Sequence, residues 1–161
     1  MIGNIVEIRN THFIFRTNFA GDPSKDRFKD SRRKASIMIP DEDLAHELLE
    51  AGFNVKRTKP AEDSDFPPVY YVNVIANFNS RVQPRIFLVC GDEEPRKLDE
   101  DSVGILDDIR VDKVNVILNP WVRDQFHSLY ITTMYVEQKT DYDPFAEEYE
   151  RRRAGEEEEP F

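Results

Sequence analysis

The sequence predicts a mainly β fold: a small five-stranded Greek-key barrel with extra strands and a helical insertion, followed by a disordered acidic tail. Three observations carry this reading. About six short runs are rich in β-branched and aromatic residues and alternate in polarity. One segment has helical spacing between caps, and apolar residues thin out after residue 137. The expected division is therefore a barrel domain at 1–137 and a flexible interaction tail at 138–161.

The elements follow in order. Residues 5–16 (IVEIRNTHFIFR) read as a strand bent near Asn10, with Phe13 and Phe15 on one face. Residues 17–33 contain Gly21, Asp22, Pro23 and Ser24 and read as a long loop, a length usually reserved for function or disorder. Residues 34–39 resume alternation, turning Ala35, Ile37 and Ile39 to one side. Residues 41–52 (DEDLAHELLEAG) form the clearest helix. Asp41 caps it, Leu44, Leu48 and Leu49 form its apolar stripe, and Gly52 stops it. A short strand at 53–58 precedes the Pro-rich loop 59–68. Residues 69–78 then put Tyr70, Val72, Val74, Ala76 and Phe78 on one face and Tyr71, Asn73 and Asn77 on the other. A strand at 84–91 comes next, then a loop with a weak helix around 102–106. Two final strands at 111–119 and 128–137 are joined by a loop at 120–127.

Little in the chain points to catalysis. There is no phosphate-cradling GxxxxGK[ST] loop and no GxSxG elbow. His12, His46 and His127 lack metal-ligand spacing, and the single Cys90 reads as a buried, inert thiol. The acidic runs at 41–43, 92–94 and 99–101 fall at a helix start and in loops, where solvated capping explains them. No cofactor, no metal and no enzyme activity are expected. No window of about 18 apolar residues suggests a membrane span, and the first residues lack the pattern of a signal peptide, so a cytoplasmic location is expected.

Charge carries more information. The chain has 22 Lys+Arg against 32 Asp+Glu, a net of −10, which argues at first against a nucleic-acid partner. Residues 137–161 alone hold ten acids and four bases, whereas residues 1–36 hold eight bases and four acids. The basic cluster includes Arg16, Lys25, Arg27, Lys29, Arg32, Arg33 and Lys34, interleaved with Phe19 and Phe28. Cations that track phosphates and aromatic faces that stack on bases together hold single-stranded nucleic acid without reading sequence. Trp121, Arg123 and Phe126 repeat the mixture in the later loop, and Lys56, Arg57 and Lys59 form a smaller basic group. Tyr71 and Arg85 complete the candidate DNA-binding set. Phe19, Phe28, Trp121 and Phe126 read equally well as core aromatics. The loops at 17–33 and 120–127 would flank the binding face of an OB barrel, provided that the 102–106 helix is the one between its strands.

The last six residues, EEEEPF, join acidic charge to a terminal Phe161 carboxylate, a pattern suited to peptide capture in a basic-rimmed pocket. The tail contacts expected are Glu156, Glu157, Glu158, Glu159, Pro160 and Phe161. This ending resembles the C-terminal tip of bacterial single-stranded-DNA-binding proteins. The body resembles the phage-encoded single-stranded-DNA-binding proteins with an OB fold, through the blocks FIFRTNFAG (13–21), FKDSRRKASIMIPDEDLAHELLEAGFNVKRTKP (28–60), YYVNVIANF (70–78), LDEDSVGILDDI (98–109), VDKVNVILNPW (111–121) and SLYITTMYVE (128–137). The resemblance implies an OB-type barrel that coats single-stranded DNA in phage replication, recombination and repair, inside the bacterial host. It also implies that the tip recruits replication and recombination proteins. Self-association stays open. Two competing readings are an acidic interaction protein that mimics DNA toward a host enzyme, and a metal-dependent nuclease built on the carboxylate runs.

Overall fold

Two short strands near the start of the chain, β1 (Val6–Thr11) and β2 (Phe13–Asn18), are one run that changes partner at His12. The computed structural model describes residues 5–25, 31–58 and 67–139. After these strands come β3 (Arg33–Ile39), helix α1 (Glu42–Glu50), β4 (Lys56–Arg57), β5 (Tyr70–Ala76), β6 (Arg85–Val89), β7 (Arg96–Leu98), a 3-10 helix at Val103–Asp107, β8 (Val111–Arg123) and β9 (Phe126–Gln138).

The pairing path is β1–β8–β9–β5–β3–β2. All neighbours are antiparallel except β9 and β5, which meet in parallel at Ile75 and Tyr130. The path ends on two strands that are continuous in the chain, so the sheet returns on itself. Five strands in this order, with the bent strand counted once and the 3-10 helix leading into β8, make an OB barrel. The extra strands β6 and β7 extend the sheet beside β9, and β4 adds to β5.

The bend lies where the sequence places it. Asn10 has φ 54°, and its N–H donates to Asn115 Oδ1 of β8 at 2.9 Å. Asn tolerates this left-handed conformation better than a branched residue would. Thr11 Oγ1 donates to the Met38 carbonyl of β3 at 2.6 Å, and Met38 N–H donates to the His12 carbonyl. A second irregularity follows at Phe15, with φ 63°. It turns Phe15 outward, against the expectation that Phe13 and Phe15 share a face. Phe13 instead packs edge-on against Phe19 at 5.4 Å.

The alternation read in β3 and β5 holds. Ala35, Ile37, Ile39, Val72, Val74 and Ala76 fill the barrel together with Val114, Val116 and Leu118 of β8. Phe19, Phe53 and Phe78 join the same core. Helix α1 starts at Asp41, whose carboxylate accepts the Asp43 N–H at 2.9 Å. Its buried residues are Ala45 and Leu48, while Leu49 is exposed. Leu49 sits one residue past Leu48 and rotates off the contact face, so the expected stripe is corrected at that position.

Two differences concern strand ends. The expected loop at 120–127 is instead the end of a hairpin, because β8 runs through Arg123 and β9 begins at Phe126. Only Asp124, at φ 57°, and Gln125 turn the chain. Trp121 and Val122 favour strand, and Pro120 falls beyond the last β1 pairing at Leu118, where its missing N–H costs no ladder bond on that side. Strand β7 lies in a region read as loop. Arg96 and Lys97 hide its pattern, since only Leu98 reaches the core.

The hairpin rests on the end of α1. Gly52 has φ 98°, and a Cβ there would sit 2.6 Å from His127 Nε2. The His127 ring packs edge-on against Phe53 at 5.2 Å. Gly52→Ala should therefore destabilise the protein by about 1–3 kcal/mol through backbone strain alone, before the clash is counted. Urea unfolding reads this directly, and an unchanged midpoint would mean that position 52 bears neither the strain nor the clash.

Candidate nucleic-acid interface

The outer face of β2, β3 and β5 follows from the inward alternation. With Ala35, Ile37, Val72 and Val74 inside, Lys34, Ser36, Met38, Tyr71, Asn73 and Ile75 point outward. Cross-strand register sets them in rows. Asn18, Lys34, Ile75, Tyr130 and Asn119 form one row across β2, β3, β5, β9 and β8. Ile14, Ser36 and Asn73 form the next, where Ser36 Oγ donates to Asn73 Oδ1 at 2.7 Å. Met38, Tyr71 and Lys56 form the third.

Two aromatic pairs stand on this face. Phe15, 64% exposed, meets Tyr71 edge-on at 5.1 Å. Trp121, 40% exposed, meets Tyr130 edge-on at 6.2 Å. Tyr71 and Ile75, the neighbour of Tyr130, are four residues apart, or about 13 Å along the strand. Amide, hydroxyl and ammonium groups occupy the interval. Arg57 lies over the Tyr70 ring at 5.7 Å, and Arg123, Val122 and Phe126 are exposed at the hairpin end. The face can supply ring surfaces and phosphate partners in one band, without a fixed pattern of base-edge donors.

The basic loop is anchored by a residue that sequence reading missed. The Asp107 side chain, 2% exposed, closes the 3-10 helix and receives donors from the root of the loop. Thr17 Oγ1 donates to Oδ1 at 2.6 Å and Phe19 N–H at 2.8 Å. Ala20 N–H donates to Oδ2 at 2.9 Å and Lys25 Nζ at 3.3 Å. Gly104 lets Ala20 approach the same helix, since a Cβ at 104 would lie 3.1 Å from the Ala20 Cβ. Burial pushes the Asp107 carboxyl up, but these bonds outweigh it and hold it below its ordinary 3.8.

These contacts divide the candidate set. Phe19 is fully buried, so its ring serves the core and not a base. Lys25 serves Asp107. Arg33 donates to the Phe19 carbonyl at 2.7 Å, lies over the Phe78 ring at 5.9 Å, and sits 3.8 Å from Glu100. Both cations therefore brace the loop. Arg16, Arg32, Lys56, Arg57, Arg85, Trp121 and Arg123 are exposed, and Lys34 and Tyr71 are half-buried. Arg85 belongs to another part of the surface, over Phe87 of β6. Arg27, Phe28, Lys29 and Lys59, with the tail residues Glu156–Phe161, lie outside the described residues. Phe15 and Tyr130 join the face without having been singled out. No spacing rule announces the backbone turn that exposes Phe15. Among the described residues, no group of three or more His, Cys, Asp and Glu could hold a metal ion.

A closed five-stranded barrel with a cationic, aromatic outer face and a braced basic loop defines an OB-type module suited to oligonucleotides. The family model described as "Putative phage ssDNA-binding domain" matches residues 3–154, and the chain belongs to that family. Among solved structures, the C-terminally truncated single-stranded DNA-binding protein from bacteriophage Enc34 is 10% identical, with a TM-score of 0.50 over 84% of this chain and 86% of that one. At that identity the likeness speaks for the fold alone. The untruncated Enc34 protein is 11% identical, with a TM-score of 0.43 over 88% and 84%. Bacteriophage T7 gp2.5, also a single-stranded DNA binding protein, is 11% identical, with a TM-score of 0.42 over 89% and 96%. No curated protein matches the chain.

The Asp107 clasp has a pH signature. An acid held below its ordinary value stabilises the fold at pH above 3.8, and that contribution is lost as pH falls through the lowered value. Asp107→Ala should cost about 1.5–3 kcal/mol at neutral pH, the range for hydrogen bonds to a charged group. The difference from wild type should shrink on acidification, as followed by chemical unfolding at a series of pH values. A difference that stays constant into strong acid would remove the carboxylate charge from this account.

Proposed function

We propose that this protein coats single-stranded DNA with little sequence preference during phage DNA replication, recombination and repair, in the cytoplasm of the bacterial host. The observation that carries the proposal is the outer face of β2, β3 and β5, continued onto β4, β9 and β8. There Phe15, Tyr71, Tyr130 and Trp121 alternate with Lys34 and Lys56. Arg16, Arg32, Arg57 and Arg123 extend the contact at its margins, and Arg27, Phe28 and Lys59 belong to the same proposed binding set. Strands of phosphate follow the cations while bases rest on the rings, each stacked base contributing about 1–3 kcal/mol. Membership of a phage ssDNA-binding family supports the same reading. Residues 1–137 act as the binding domain in this proposal, and residues 138–161 as a tail whose EEEEPF ending recruits replication and recombination proteins. An acidic DNA mimic is the weaker reading, because Lys56, Arg57 and Arg123 are presented to solvent on or beside the candidate face.

Trp121 is the sole tryptophan and stands on the proposed face, so its fluorescence reports binding without a label. Oligo-dT should quench it, and affinity should fall steeply as salt rises because displaced counterions drive part of the association. Tyr71→Ala should weaken binding by about 1–3 kcal/mol with little effect on stability. Absence of oligo-dT binding at low salt would sink the proposal.

Deletion of Glu156–Phe161 separates the two roles. An acidic segment competes with phosphate for cations, so its removal should leave DNA affinity unchanged or raise it at low salt. A large loss of affinity would take the tail out of partner recruitment and put it in the DNA site.

A further inference from the structure

A second cationic and aromatic platform stands on β6, β7 and β9, away from the Phe15–Tyr71 pair. Phe87 and Tyr135 are direct cross-strand neighbours, and their rings stack at 4.7 Å with 13° between planes. The Arg85 guanidinium lies over Phe87 at 5.6 Å. Register places Lys97 of β7 beside Phe87 and Asn115 of β8 beside Tyr135, so the row Lys97, Phe87, Tyr135, Asn115 crosses four strands on the outer side. Tyr135 is 37% exposed, which leaves ring surface open next to two exposed cations.

Two nearby acids have partners of their own. Glu137 faces Lys113 at 3.7 Å, and the Asp99 carboxylate accepts from Ser102 N–H and Oγ at 2.9 Å. Arg85 and Lys97 share a cleft with the single charge of Asp99, which two cations outweigh.

A groove leaves the proposed face in the direction of this platform. It has a volume of about 430 Å³ and begins at Tyr130. Asn77, Asn119 and Thr132 line it on the sheet side, and Arg81 and Gln83 on the turn that leads into Arg85. Tyr130 and Tyr135 are five residues apart on β9, a run of about 17 Å. The groove follows β9 as far as Thr132, three residues short of Tyr135, and its lining mixes Arg81 and polar groups with the apolar Ile5, Val82 and Ile117.

We propose that single-stranded DNA longer than the primary face runs from Tyr130 through this groove onto the Arg85–Phe87–Tyr135 platform. The platform lengthens the occupied site and is not needed for a short strand. This inference rests on the single-strand reading above. The Tyr135 ring accepts a base by its π surface, and Arg81, Arg85 and Lys97 meet phosphates as the chain passes.

The test compares oligo-dT of about 6 and about 30 nucleotides, lengths chosen around the range occupied by one OB fold. Arg85→Glu and Tyr135→Ala alter exposed side chains, and circular dichroism checks their folding. Each should lose roughly five- to tenfold in affinity for the long oligomer and leave the short one unchanged. Tyr135→Phe should retain long-oligomer affinity, because the ring is kept. Arg85→Glu should also flatten the salt dependence for the long oligomer by about 0.7 in log–log slope per lost phosphate contact. Equal losses on both lengths would put these residues in the primary site, and no loss on either would leave them as cover for the sheet. Altered sedimentation of the variants without DNA would assign the patch to a second copy of the chain. Any of these three results overturns the extension while leaving the primary reading intact, whereas wild-type protein that binds neither oligomer overturns both.

Discussion

Closure of the barrel depends on one change of partner, at Thr11 and His12, and every other face in the molecule is set by it. Before the bend, the first strand bonds to β8; after it, to β3. The bend is held from both sides, by Asn10 N–H on Asn115 and by Thr11 Oγ1 on Met38. These bonds matter because a kinked strand exposes backbone groups that must find partners elsewhere. With the sheet closed, inward residues of β3 and β5 have one place to go, and their outward neighbours become a continuous surface. The aromatic and cationic band is thus the other side of the core's alternation.

Bases in a sequence cluster do not all serve one purpose. Lys25 and Arg33 stand amid the basic stretch, yet the first closes on Asp107 and the second on the Phe19 carbonyl. Their charge shapes the loop root. Lys34, which alternation turns outward on β3, and Lys56 of the exposed strand β4 lie on the sheet. A rigid root lowers the ordering cost that the loop incurs when a ligand arrives. The net charge of −10 therefore describes neither the surface at the proposed face nor the loop beside it.

Much of the fold was legible in the residues, for reasons that also mark where legibility stops. The period-two pattern of Ala35, Ile37 and Ile39, and of Val72, Val74 and Ala76, specifies strand and inner face together. Asp41 and Gly52 bound α1 because caps are local chemistry. Phe15 leaves the face that the alternation shares between it and Phe13 because its positive φ reverses the pattern, and nothing in FIFRTNF signals it. Strand β7 is too short and too charged to show a period. Asp107 looked like one acid among many near residue 100. Its role needs donors from residues 17–25, a relation visible only after folding.

The union of β1 with β8 also has a kinetic consequence. Val6 pairs with Leu118, and Asn10 bonds to Asn115, 105 positions away. A ribosome releases β1 long before its partner exists, so the first segment waits with its ladder groups unpaired until the closing hairpin emerges. Contacts of such separation place the chain among slow folders, for which loop entropy is spent before the reward of pairing arrives. Partial chains ending before residue 111 lack the strand that seals the barrel, and their open edges invite pairing with other chains.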